Sequence, residues 1–126
     1  MGIAVADMDE SIALYGGIFS APVVHRSTSE REGQETALLR AGEVELELMR
    51  PIREDSAVGK FIAKRGPGMH HIAFAVSDIR KALADSRAAG LQLIDEEPRM
   101  GVHGSPIAFI HPKSAGGVLT ELVESE

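Results

Sequence analysis

Three side chains carry most of the chemistry this sequence offers: Glu47, His71 and Glu121. An imidazole with two carboxylates is a donor set for manganese, cobalt, nickel, iron or zinc in an open site, which keeps positions for water or a substrate. None of the 126 residues is cysteine, which excludes thiolate catalysis and disulfide stapling. Taken singly, each of the three has an ordinary explanation. A glutamate inside a strand is usually a solvated face residue, and the His70-His71 pair reads more often as one exposed and one satisfied histidine. What joins them is an internal repeat.

Gly2-Ile3-Ala4-Val5-Ala6-Asp7-Met8 matches Ala73-Phe74-Ala75-Val76-Ser77-Asp78-Ile79 at an offset of 71. Val44–Leu48 matches Val118–Leu122 at an offset of 74, which aligns Glu47 with Glu121. The matches keep their order, and loops can absorb the drift between the offsets. Two βαβββ modules, each too small to bury its own sheet, are expected to make one domain. The first module covers 1–51, a connecting short helix 52–68, and the second module 69–126. If the halves face each other across a pseudo-twofold axis, Glu47, His71 and Glu121 converge on one cleft. The same offset carries His71 to the position before Met1. The repeat therefore expects a further ligand there and reads the first module as shortened at its start.

Local patterns place the three residues on strands. Ile3–Val5 reads as a buried strand, and Asp7–Glu10 supplies N-cap candidates for a helix whose Met8, Ile12, Tyr15 and Phe19 recur at helical spacing, fraying at Gly16-Gly17. Pro22-Val23-Val24 starts a second strand. Glu35–Arg40 and Val44–Met49 form a hairpin, with Glu45 and Glu47 on one face of the second arm and apolar residues on the other. Ser56 can cap a short helix carrying Val58, Phe61 and Ile62, which stops at Lys64-Arg65-Gly66-Pro67-Gly68. His71–Val76 restarts the pattern, Asp78 caps a helix with Ile79 and Leu83, and Gly90 ends it. Leu91–Ile94, Ile107–Ile110 and Val118–Val123 are expected strands, and Glu96–Ser105, with its Pro98, Gly101 and Gly104, a loop or bent strand.

Composition narrows the partners. A formal net charge of −6 with 4% aromatic residues argues against nucleic acid, because no broad positive field collects phosphates. No apolar run approaches the ~20 residues of a membrane helix, and no signal-peptide head opens the chain. The expectation is a small soluble domain of the cytoplasm, or of the mitochondrial matrix in a eukaryote. The strand edge at Glu35–Arg40 points to a homodimer.

The chain resembles the methylmalonyl-CoA epimerase branch of the vicinal oxygen chelate (glyoxalase-like) superfamily along nearly its whole length. The resemblance is carried by Gly2-Ile3-Ala4-Val5, Glu47-Leu48-Met49 before Pro51, Asp55-Ser56 and Phe61, and Gly68-Met69-His70-His71-Ile72-Ala73-Phe74. It continues through Asp95-Glu96-Glu97-Pro98, Gly101-Val102-His103-Gly104 and the more specific His111-Pro112-Lys113-Ser114-Ala115-Gly116-Gly117-Val118-Leu119-Thr120-Glu121-Leu122. It implies an α+β fold in which two paired βαβββ modules form a curved mixed sheet around a metal cleft. It also implies a divalent metal, cobalt first with manganese, nickel or zinc as alternatives, on Glu47, His71 and Glu121.

The remaining ligand of the family is a histidine at the position before Met1. The implied reaction interconverts (2R)- and (2S)-methylmalonyl-CoA by removing the α-proton and returning it on the other face through an enolate. Glu121 is the implied base; a second base of some relatives falls on Thr36, which cannot act as one, while the adjacent Glu35 points to the other face, so Glu47 or a metal-bound water is left to relay the second proton. Lys113, Ser114 and His103 are the candidates for substrate contact. An acidic chain also needs a local basic patch for the CoA tail, and Lys60, Lys64 and Arg65, with Arg99 elsewhere, are available for it. Two other readings compete. One is another metal-dependent enzyme of the superfamily, lactoylglutathione lyase-like or dioxygenase-like; the other is a metal-poor binding module lacking the N-terminal histidine ligand.

Overall fold

The computed structural model describes residues 1–125 and divides into two units, Met1–His70 and a second from His71 onward. The first unit runs β1 (Gly2–Ala4), α1 (Met8–Ile12), a π-helical stretch (Ala13–Ile18), β2 (Val23–Ser29), β3 (Gln34–Ala41), β4 (Val44–Pro51) and α2 (Ala57–Arg65). Its strands lie in the order β2-β3-β4-β1, with β2/β3 and β3/β4 antiparallel and β4/β1 parallel. Strand alternation sorts the side chains. Ala37, Leu39, Leu46 and Leu48 join Val5, Met8, Ile12 and Tyr15 in one cluster, and Ala4 and Met49 meet Val58, Phe61 and Ile62 of α2 on the opposite face. Leu39 and Leu48 are fully buried, each contributing about 1.5–3 kcal/mol by its removal from water.

β5 (Gly68–Val76) begins in the last residues of the first unit and continues into the second, followed by α3 (Ile79–Ala88), β6 (Arg99–Met100), β7 (Pro106–Ile110) and β8 (Thr120–Glu124). The strand order is β5-β8-β7-β6, again with one parallel pair, β5/β8, and antiparallel neighbours outside it. Ile79 and Leu83 of α3 pack on Ala108, Ile110 and Leu122.

The repeat read from the sequence is a repeat of register. Gly2 lies opposite Glu47 and Ile3 opposite Leu48; the equivalent positions Ala73 and Phe74 lie opposite Glu121 and Leu122. On the other side Leu38 faces Glu47 and its equivalent Phe109 faces Glu121. The helix caps repeat as well: the Asp7 carboxylate accepts the Glu10 amide and the Asp78 carboxylate the Lys81 amide, both at 3.0 Å, which satisfies first-turn donors.

The structure departs from the sequence reading in three places. The first helix is α-helical only to Ile12; beyond it the Phe19 amide reaches back to the Leu14 carbonyl at 3.0 Å and the Ala21 amide to Tyr15 at 2.9 Å. The wider turn shifts the helical phase, so Phe19 leaves the core at 62% exposure and keeps a tilted ring contact with Tyr15, 5.9 Å between ring centres. Gly16 fits where this turn doubles back, because a Cβ there would stand 3.3 Å from the Ala21 carbonyl.

Leu91–Ile94 is not a strand but a single bridge, Leu93 to Ile110. The Ile94 and Asp95 amides share the Phe109 carbonyl at 2.9 and 3.2 Å, while the Asp95 carboxylate takes the Phe109 amide at 2.8 Å. A side chain thus replaces a backbone partner and ends the ladder. The short β6 lies inside the expected 96–105 loop. Finally, Glu35–Arg40 is no free edge: β3 is paired on both sides, and β2 is the outer strand. No helix among the described residues is long and apolar enough to cross a membrane.

Candidate functional site

In the second unit the register that sets Glu121 opposite Ala73 places it on the sheet face of His71, two residues before Ala73 on the same strand. His71 Nε2 stands 3.7 Å from Glu121 Oε1, with both side chains largely withdrawn from solvent. Phe109, Glu121's partner on β7, presents its ring to His71 at 5.7 Å and 85°, an edge-to-face contact. The Arg99 guanidinium sits 5.6 Å from the centre of the same ring and is held by Asp95, Nε to Oδ1 3.2 Å. Asp95 in turn accepts the Phe109 amide. The imidazole is therefore backed by an aromatic ring whose position is fixed from three directions.

Two donors about 2.0–2.2 Å from one ion lie no more than ~4.4 Å apart. The 3.7 Å between His71 and Glu121 meets that limit, and the imidazole-carboxylate set suits a borderline divalent metal. Among the described residues no group of three or more metal-ligating side chains is assembled at ligand spacing.

Glu47 belongs to the first unit, where its amide donates to the Met1 carbonyl at 2.7 Å. Its strand neighbours Leu46 and Leu48 point into the α1 side, so Glu47 shares the face of Met49 and α2. On that face His70 packs edge-on against Phe61, 4.8 Å between centres. Burial lowers the His70 pKa and the charge of Glu47 opposes the shift, so the imidazole and the carboxylate feel one another.

Thr36 is buried on the Glu47 face, its hydroxyl accepting from Gln34 Nε2 at 3.1 Å. Glu35 points the other way, bridged by Arg26 Nε at 2.8 Å and Arg50 Nε at 3.0 Å. Lys113 is exposed on a 3-10 turn, Pro112–Ser114. That turn is pinned by His111 Nδ1, which accepts the Lys113 amide at 3.1 Å, and by Ser114 Oγ, which accepts the Gln92 amide at 2.9 Å. His103 is exposed near the tip of the β6–β7 connection.

The sequence reading assigns Phe109 and Asp95 no role at the site, and offers Arg99 only as a cation for the CoA tail. The available signal was Phe109's place opposite Glu121, one repeat offset from Leu38.

This architecture, a βαβββ module repeated in register, is the glyoxalase-type fold. Residues 1–109 match the Glyoxalase/Bleomycin resistance protein/Dioxygenase superfamily, and the chain belongs to it. Within the superfamily the chain belongs with the methylmalonyl-CoA epimerases. It is 34% identical to the mitochondrial methylmalonyl-CoA epimerase of Homo sapiens, over 99% of this chain and 72% of that protein. A solved methylmalonyl-CoA epimerase in complex with methylmalonyl-CoA and NH4+ superposes with a TM-score of 0.90 at 43% identity, covering 98% of this chain and 90% of that one. The chain is also 40% identical to the uncharacterized protein YqjC of Bacillus subtilis, over 98% of this chain and 89% of that protein.

Proposed function

We propose that this chain interconverts (2R)- and (2S)-methylmalonyl-CoA, and that Glu121 and Glu47 are its acid/base pair. The observation that carries the reading is the Glu121 carboxylate set 3.7 Å from His71 on one sheet face, with Glu47 at the equivalent register position of the other module. The α-carbon of the substrate lies between a thioester and a carboxylate, so its proton is already acidic. Glu121 takes that proton: the C–H bond breaks, an O–H bond forms on the carboxylate, and the electron pair moves onto the thioester oxygen. A solvent proton relayed at Glu47 adds to the opposite face as the electron pair moves back from the oxygen to the α-carbon, and exchange with solvent resets Glu121.

His71, Glu121 and Glu47 are the residues that would hold a divalent metal, which would supply positive charge to the developing enolate oxygens. Phe109 fixes the His71 ring, and Lys113, presented by its pinned turn, faces solvent as a cation for the substrate carboxylate. Thr36 has no acid/base role, and its bond from Gln34 supports a packing function. The reading includes a homodimer, for which β2 is the outer strand of the first unit; light scattering at micromolar concentration tests that part.

The reaction is tested by incubating the purified chain with methylmalonyl-CoA in deuterated water. Deuterium at the α-carbon, at a rate matching loss of optical activity, is the expected result. Absence of label with metal-loaded protein rejects the proposal.

A further inference from the structure

Cations in this chain are almost all spoken for. Of its 13 lysines and arginines, all but four lie within ion-pair distance of a carboxylate among the described residues. The four are Lys60, Lys64, Arg65 and Lys113. Three of them fall together on α2, from its fourth residue to its last, all exposed. Lys60 and Lys64 stand one turn apart on the same helix side, ~6 Å along the axis, and Arg65 follows directly. No carboxylate occurs between Asp55 and Asp78, so nothing in that stretch neutralises them.

Gly66, in the left-handed region at φ 75°, ends the helix there and its amide closes on the Ile62 carbonyl at 2.7 Å. Val58, Phe61 and Ile62 anchor α2 onto Ala4 and Met49, on the face that carries Glu47. A cluster of cations with no carboxylate at ion-pair distance among the described residues, in a chain of net charge −6, is thus held on a helix that packs beside one of the proposed acid/base residues.

We infer that Lys60, Lys64 and Arg65 form a docking site for the phosphorylated adenosine end of the acyl-CoA, the part of the substrate remote from the reacting carbon. The inference rests on the acyl-CoA reading above. The cluster matches the chemistry of that end: a pyrophosphate and a ribose phosphate, several negative charges on a mobile tether. Lysine and arginine act here as point and forked donors to phosphate oxygens. Their surface placement makes the contribution of each modest and salt-dependent. Two of the three also complement the α2 dipole at its C-terminal turn; a purely helix-stabilising role moves unfolding temperature and leaves ligand affinity alone.

The test compares the wild type with the triple variant Lys60→Ala, Lys64→Ala, Arg65→Ala and with the charge-keeping Lys60→Arg, Lys64→Arg. Two readouts are used: binding of adenosine 3′,5′-bisphosphate by calorimetry, and solvent deuterium exchange into methylmalonyl-CoA and methylmalonyl-pantetheine, which lacks the phosphorylated adenosine. The expected result for the triple variant is a KM for the CoA thioester raised about tenfold. Its kcat and its KM for the pantetheine thioester stay unchanged, and its bisphosphate binding is lost. The arginine variant binds like wild type.

Equal bisphosphate binding by wild type and triple variant, or none by either, overturns the inference even if exchange is normal. Bisphosphate binding that depends on the three cations, in a protein that labels neither thioester, upholds the docking site and rejects the epimerase reading instead.

Discussion

Replacing Glu35 by Gln separates a structural carboxylate from a catalytic one. Glu35 accepts two charge-assisted hydrogen bonds, 2.8 Å from Arg26 and 3.0 Å from Arg50, and its side chain is 14% exposed. A hydrogen bond to a charged group contributes about 1.5–3 kcal/mol when shielded. Here the arginines are 44% and 37% exposed, which brings the loss at the more shielded Glu35 carboxylate toward the low end of that range. Glu35→Gln should therefore cost about 2 kcal/mol at neutral pH, a fall in Tm of about 6–10 °C for a domain of this size.

Burial pulls the Glu35 carboxyl up, but the hydrogen bonds and charges of Arg26 and Arg50 outweigh it and hold its pKa below the ordinary 4.5. A carboxyl lowered on folding adds stability that is fully present above the unfolded pKa and lost as pH falls through the folded value. The gap between wild type and variant should thus be widest near pH 7 and close progressively below about pH 4.5. Because Glu35 faces away from Glu47, kcat for α-proton exchange should stay within about twofold of wild type below the variant's Tm, a change far smaller than loss of an acid/base group gives. Urea unfolding across pH and deuterium exchange at 25 °C measure both. A penalty that does not shrink in acid refutes the ion-bridge assignment. A hundredfold loss of kcat in a folded variant refutes the face assignment and makes Glu35 a base.

Other substitutions address the site and its scaffold. Glu121→Gln keeps the shape of the side chain but removes the proposed base, and exchange should fall by about 10²–10⁴ with Tm unchanged; residual activity above a tenth of wild type excludes Glu121 from that role. Phe109→Leu keeps apolar volume and removes the ring that backs His71, so kcat/KM should drop about 2- to 13-fold, the equivalent of an aromatic edge contact. Circular dichroism would show the fold intact, and an unchanged kcat/KM would mean the ring does not position the imidazole. Leu48→Ala empties a fully buried site and should cost about 2–5 kcal/mol in urea unfolding; a cost under 1 kcal/mol would show that the α1 side of the sheet relaxes around the gap.

Periodicity and a repeat made most of the strands legible, because alternation and cap chemistry are local and β1, β4, β5 and β8 obey both. Register followed from the same repeat, which is how Glu47 and Glu121 could be equated without coordinates. The failures share a cause. Asp95 ends a ladder by inserting its carboxylate as a backbone partner, and the π-helical turn at Ala13–Ile18 rotates Phe19 off the core. Both depend on one side chain or one extra residue per turn, which a pattern averaged over a window cannot register. Phe109 escaped notice for another reason: an apolar residue in a strand looks like core whether or not an imidazole leans on it.

Duplication gives an epimerase something that a single module cannot. The reaction needs one acid/base group on each side of a planar enolate, and a repeated βαβββ unit supplies two carboxylates in the same register. Identical carboxylates would titrate alike, however, and acid and base roles separate only where environments differ. The modules differ at the position facing the glutamate across the antiparallel pair: Leu38 faces Glu47, whereas Phe109 faces Glu121 and carries His71 against its ring. Glu121 therefore has an imidazole 3.7 Å away, while Glu47 acts on His70, whose own proton affinity burial has lowered. On the proposed reading, the repeated register gives each module its own carboxylate, and these unlike neighbours let Glu121 serve as the acceptor while the returned proton comes by way of Glu47.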